Sequence, residues 1–108
     1  MTVQQLAASL SLQTVTCGQP ERQVTGCYIG DLLSWVMGQA PADCAWVTVI
    51  QNVNVAAVAM LADVACVILA EESEPDDALR NRAEEKGIAL LSSPLDAYSL
   101  ALQIHNVL

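Results

Sequence analysis

The chain has 108 residues and a net charge of −8 from twelve carboxylates and four bases, so it lacks the clustered Lys and Arg that nucleic acid or an anionic membrane surface requires. Its length is close to the modal size of one domain, and residues 1–108 are expected to fold as a single unit. Hydrophobic residues make up 54% and charged residues only 15%, against roughly 25% charged in an average domain, so a second copy or a protein partner is expected to cover part of the surface.

The opening residues, MTVQQLAASLSLQ, lack the basic start and unbroken apolar core of a signal peptide, and the protein is expected in the cytoplasm. Val3, Leu6, Ala7 and Leu10 recur at helical spacing with Thr2 as N-cap, which predicts a short amphipathic helix over 2–10. Residues 12–16 alternate weakly as a strand, 18–22 with Pro20 read as a surface loop, and 24–29 as a second strand. Gly30 ends that strand. Asp31 is then expected to cap a helix whose apolar face is Leu32, Leu33, Val36 and Met37, with Gly38 closing it.

Residues 44–70, CAWVTVIQNVNVAAVAMLADVACVILA, contain a single carboxylate, Asp63. Apolar β-branched runs at 46–50 and 64–69 enclose an alanine-rich stretch at 54–62, the pattern of a βαβ unit buried on both faces. The run from Val55 is too short, and Asp63 too central, for a membrane span.

Seven of the twelve carboxylates lie between Glu71 and Glu85, and three of the four bases between Arg80 and Lys86. Ser73 before Glu74, Pro75 and Asp76 predicts a capped, acidic helix start, with Asp76 and Arg80 paired at i,i+4 and Lys86-Gly87 ending the helix. Residues 88–91 read as a buried strand. Ser93 and Pro94 then open a last helix with Leu95, Tyr98, Leu102 and His105 in line. The order α-β-β-α-β-α-β-α-β-α predicts an α/β three-layer sandwich with a mostly parallel sheet of about five strands and right-handed crossovers.

Ligands of open parallel sheets bind at the carboxyl ends of the strands. Here those ends carry Asp31, Gln51, Asn52, Asn54, Glu71, Ser73 and Ser92, a polar rim where helix N-termini offer amides to an anion. The carboxylates of the same rim oppose phosphate unless a divalent cation intervenes, and no phosphate-binding glycine motif is present. The acid pairs Glu71-Glu72 and Asp76-Asp77 read first as a helix start and a solvated face, and Asn52 and Asn54 read first as caps. Cys17, Cys27, Cys44 and Cys66 have no C-x-x-C spacing. Cys17 and Cys27 flank a turn and are the thiols that neighbouring strands would bring together for a redox or metal role. Of Trp35 and Trp46, either fits a core, and an exposed one is a natural interface anchor. No cofactor and no metal is expected.

Three segments carry a family likeness: YIGDLLSWVMG from Tyr28, AWVTVIQNVNVAAVAMLADVACVILAEE from Ala45 and LRNRAEEKGIALLSSPLDAYSLA from Leu79. Over 24–108 the chain resembles the DRTGG domain, a small α/β module related to the N-terminal domain of HPr kinase/phosphorylase. That module occurs alone or joined to phosphotransacetylases and CBS-domain pyrophosphatases, whose catalysis lies elsewhere. The resemblance implies a non-catalytic regulatory or scaffolding homodimer acting with a cytoplasmic partner protein, or a sensor of a nucleotide or other small anion. The motif that names the family is absent: Ala70-Glu71-Glu72 stands where a Thr-Gly-Gly turn is expected, and Gln51 to Asn54 fill the preceding turn without glycine.

Overall fold

The computed structural model describes residues 1–108 as α1 Val3–Ser9, β1 Gln13–Cys17, β2 Gly26–Ile29, α2 Leu33–Gln39, β3 Cys44–Thr48, α3 Asn54–Ala62, β4 Cys66–Leu69, α4 Asp77–Lys86, β5 Ala89–Ser92 and α5 Ala97–Val107. The five strands form one sheet in the order β1-β5-β4-β3-β2. Strands β2 to β5 are parallel, and β1 runs antiparallel along β5. This is the expected α/β sandwich with a mostly parallel sheet. No helix is long and apolar enough to cross a membrane.

Period-two alternation sends successive strand residues to opposite faces. Ala45, Val47, Cys66, Ile68 and Leu91 meet Val3, Leu6, Leu100 and Ile104 of α1 and α5 on one face. On the other, Cys44, Trp46, Val67, Leu69 and Leu90 meet Val36, Val55, Ala59, Leu79 and Ala83 of α2, α3 and α4. Every residue of β3 and β4 is buried, which is why residues 44–70 admit so little charge. The one carboxylate there, Asp63, adopts a left-handed conformation at the end of α3 and meets Arg22 at 2.9 Å, while Arg22 also reaches Asp43 at 2.8 Å. That guanidinium ties the long β1–β2 connection to the start of β3 and the end of α3. The Thr2 cap is present as a capping box with Gln5.

Several helix expectations are corrected. Asp31 does not cap α2, whose N-cap is Leu32 without a side-chain bond, and Gly38 lies inside the helix, which ends at Gln39 with extended Ala40 as its C-cap before Pro41. Only Val36 of the expected α2 face is fully buried, and Leu32 and Met37 are exposed. Ser73 is not the cap of α4: Asp76 is, accepting from the Leu79 amide at 2.8 Å. Residues 73–75 first cross the sheet edge with Pro75 buried, and Arg80 pairs with Asp77 instead of Asp76. In α5 the buried stripe is Leu100 and Ile104, while Tyr98 and Leu102 face outward. Apolar residues occupy both sides of that helix, so its spacing fits two stripes.

Candidate functional site

Because β2 to β5 are parallel, their carboxyl ends share one edge, and antiparallel β1 brings its amino end to the same place. The edge holds two depressions. The larger, about 840 Å³, is lined by Gln13, Thr14, Glu72, Ser73, Arg80 and Ser92 among others. The smaller, about 540 Å³, is lined by Gln51, Asn52, Glu74 and Asp76 beside Val49 and Ile50. Glu74 borders both.

Of the residues expected at this rim, Ser73 and Ser92 line the larger depression and Gln51 and Asn52 the smaller. Asp31, Asn54 and Glu71 line neither. The Asp31 carboxylate accepts from Thr48 Oγ1 at 2.7 Å and from the Val49 amide at 3.0 Å. That second bond takes the Val49 amide, so β3 stops at Thr48 although the apolar run continues to Ile50. Asn54 donates its amide to Asn52 Oδ1 at 2.9 Å, an Asx turn that leads into α3 and matches the capping reading of Asn52.

Amides that an anion would need are already engaged. Glu71 N–H donates to the Leu95 carbonyl at 2.8 Å, Glu72 N–H to Ser93 at 3.1 Å, Ser73 N–H to Ala70 at 3.0 Å and Asp76 N–H to Gln51 at 3.0 Å. The positive charge in the larger depression is Arg80, half occupied by its 2.8 Å pair with Asp77. The arrangement offers hydroxyls for hydrogen bonding, and Glu72 and Glu74 oppose a bare phosphate. Gln13, Thr14 and Arg80 were not legible as site residues, because nothing in the local pattern says that β1 lies antiparallel beside β5.

Glu71 and Glu72 both adopt φ of 58°, the left-handed region that glycine occupies without strain. The turn therefore has a backbone that suits glycine, built here from two glutamates. Replacing both with glycine is expected to raise stability by about 1 kcal/mol, a gain of roughly 4–8 °C in Tm for a domain of this size. Glu84→Gly, inside α4, should instead lose about 1 kcal/mol. Thermal unfolding followed by circular dichroism checks both; a double glycine variant that melts lower overturns the strained-turn reading.

The thiol pairing is corrected. Cys17 ends β1 and Cys27 lies in β2, the two outermost strands of the sheet, about 19 Å apart across four strand spacings. Cys44 and Cys66 are buried and reduced. His105 does approach Cys27 across a groove between α5 and β2, but no three His, Cys, Asp or Glu side chains converge to hold a metal ion. Trp46 is in the core and Trp35 is 61% exposed.

A family model described as the DRTGG domain matches residues 6–107. Among solved structures, the CBS and DRTGG domains of the regulatory region of Clostridium perfringens pyrophosphatase, complexed with the activator diadenosine tetraphosphate, are similar with a TM-score of 0.74 at 11% sequence identity. The match covers 95% of this chain and 45% of that one, so this chain spans less than half of the solved one and the likeness is one of fold. The sequence has no significant match among curated proteins.

Proposed function

The chain belongs to the DRTGG domain family, and from that premise we propose that residues 1–108 act as one non-catalytic regulatory or scaffolding module, a homodimer working with a partner protein in the cytoplasm. The observation that carries this reading is that 95% of the chain shares its fold with part of a pyrophosphatase regulatory region. Its low charge and exposed apolar residues, Trp35 among them, support a module that works against another surface. Light scattering at tens of micromolar is expected to give the mass of two chains; a monomer removes the homodimer from the reading.

A second reading, a sensor of a nucleotide or other small anion, is favoured by the larger depression, where Arg80 stands among hydroxyls, and by the activator bound to the similar regulatory region. We assign it Gln51, Asn52, Ser73 and Ser92, with Gln13, Thr14 and Arg80 beside them and with Asp31, Asn54 and Glu71 shaping the turns around it. Because Glu72 and Glu74 line the larger depression and Glu74 and Asp76 the smaller, binding of an anion is expected only with a divalent cation. Thermal shift with ATP, diadenosine tetraphosphate and acetyl phosphate, each with and without Mg²⁺, tests this. A ligand at a hundredfold excess over Kd adds about 2.7 kcal/mol, a rise that Arg80→Ala should abolish. No shift at millimolar ligand sets the sensor reading aside.

A further inference from the structure

We propose that two copies of this chain join edge to edge through β2, antiparallel, so that two five-stranded sheets become one of ten strands. This rests on the homodimer reading above and names its interface. Strand β2 is outermost in the sheet, with one side of its backbone unpaired. Edge strands are ordinarily guarded by charge, proline or a bulge, but Gly26-Cys27-Tyr28-Ile29 has none of these, and its pairing with β3 is regular throughout.

Both borders of this edge are apolar. On the α5 side, Ile29 is 46% exposed. A groove there joins Cys27 to Ala101 and His105, and Tyr98 projects from the same flank of the helix at i, i+3 and i+7, 70% exposed. On the other side, α2 packs beside α3, and the flank it turns away from α3 under a right-handed crossover holds Leu32 and Trp35, both more than 60% exposed. The exposed parts of Ile29, Leu32, Trp35 and Tyr98 amount to roughly 550 Å², and the strand backbone brings the face near the ~800 Å² per partner of a standard interface.

Charge selects the occupant. A chain of net charge −8 repels its own copy over most of its surface, but between 24 and 42 the only ionisable carboxylate is Asp31, at the far end of the strand, and α5 contributes only His105. A two-fold axis across β2 places the neutral face of one copy on the neutral face of the other, and the unpaired amides and carbonyls of the two edges meet each other. The rival apolar patch, Met60 and Leu61 on the outer side of α3, offers no open backbone.

Sedimentation velocity on wild type, Ile29→Lys, Trp35→Glu and Leu61→Glu, with circular dichroism confirming that each folds, separates the possibilities. Ile29→Lys and Trp35→Glu are expected to raise the dimer Kd at least about 100-fold, and Leu61→Glu to change it by less than about threefold. Independently of any variant, the amides of residues 24–30 in the wild type should exchange hydrogen more slowly in concentrated than in dilute protein. A dimer that survives both edge variants, or that only Leu61→Glu dissociates, overturns the β2 interface and leaves the homodimer standing. Concentration-independent exchange at 24–30 in a dimer does the same, and a monomeric wild type removes both.

Discussion

Replacing Trp46 with alanine is expected to lower the free energy of unfolding by about 3–5 kcal/mol, a large part of the 5–15 kcal/mol of an ordinary domain. Trp46 lies fully buried in β3 in the core beneath α2, α3 and α4, so truncation removes its burial and leaves a void that Val36, Val55 and Leu69 fill only in part. The ring also does something aliphatic neighbours do not: Nε1 donates to the Gly30 carbonyl at 2.9 Å. Gly30 leads directly to Asp31, whose carboxylate holds Thr48 and Val49. The indole therefore braces the β2–α2 turn as well as the core. Trp46→Phe keeps most of the apolar area but strands that carbonyl, and should lose about 1–2 kcal/mol. Urea denaturation followed by circular dichroism measures both. A loss under 1 kcal/mol for Trp46→Ala contradicts the packed core, and an undiminished stability in Trp46→Phe contradicts a separate contribution from the hydrogen bond.

The parts of this architecture legible from the sequence are those where neighbouring residues settle the matter among themselves. Helix α3 begins at Asn54 and ends at Ala62 as expected, because polar Asn52 and Asp63 bracket an alanine-rich run between two β-branched ones. The rule that ligand sites lie at strand carboxyl ends located Gln51, Asn52, Ser73 and Ser92 on the same edge. Where a side chain has a choice of distant partners, local pattern misleads. Asp31 reads as a cap, yet Thr48 and Val49, seventeen and eighteen residues on, claim its carboxylate. Ser73 reads as a cap, yet the chain must first cross from β4 past Gln51, whose carbonyl takes the Asp76 amide. Cys17 and Cys27 are ten residues apart in sequence and at opposite ends of the sheet, because the connection after β1 crosses under the whole of it. Strand order is a property of the packed sheet, and the placement of Gln13 and Thr14 beside Ser92 depends on it.

Raising the pH from 9 to 11 is expected to remove about 4 kcal/mol of stability through two thiols. Burial pushes Cys66 from an ordinary value of 9.0 up to about 12, with Cys44 and Cys27 adding to the shift. Burial, then the neighbouring Cys27, pushes Cys44 up to about 11. Above pH 9 the unfolded chain releases these protons while the folded chain retains them, so the unfolded state binds fewer protons and gains on the folded state as pH rises. Each thiol contributes a loss of about 1.4 kcal/mol per pH unit across its window, from 9 to about 11 for Cys44 and from 9 to about 12 for Cys66. Below pH 9 both contributions are fully present. Cys66→Ala costs a cavity at every pH but removes one slope, so its unfolding free energy, lower than wild type at pH 7, should converge on the wild-type value by about pH 11. Tyr28, Tyr98 and Lys86 are common to both proteins and cancel in the difference. Urea titrations under reducing conditions at half-unit steps measure it. Parallel curves mean that Cys66 ionises in the folded protein as it does in the unfolded chain, which is incompatible with a thiol sealed in the core on the α1 and α5 face of the sheet; convergence identifies the neutral buried thiol as part of what holds that face of the sheet closed.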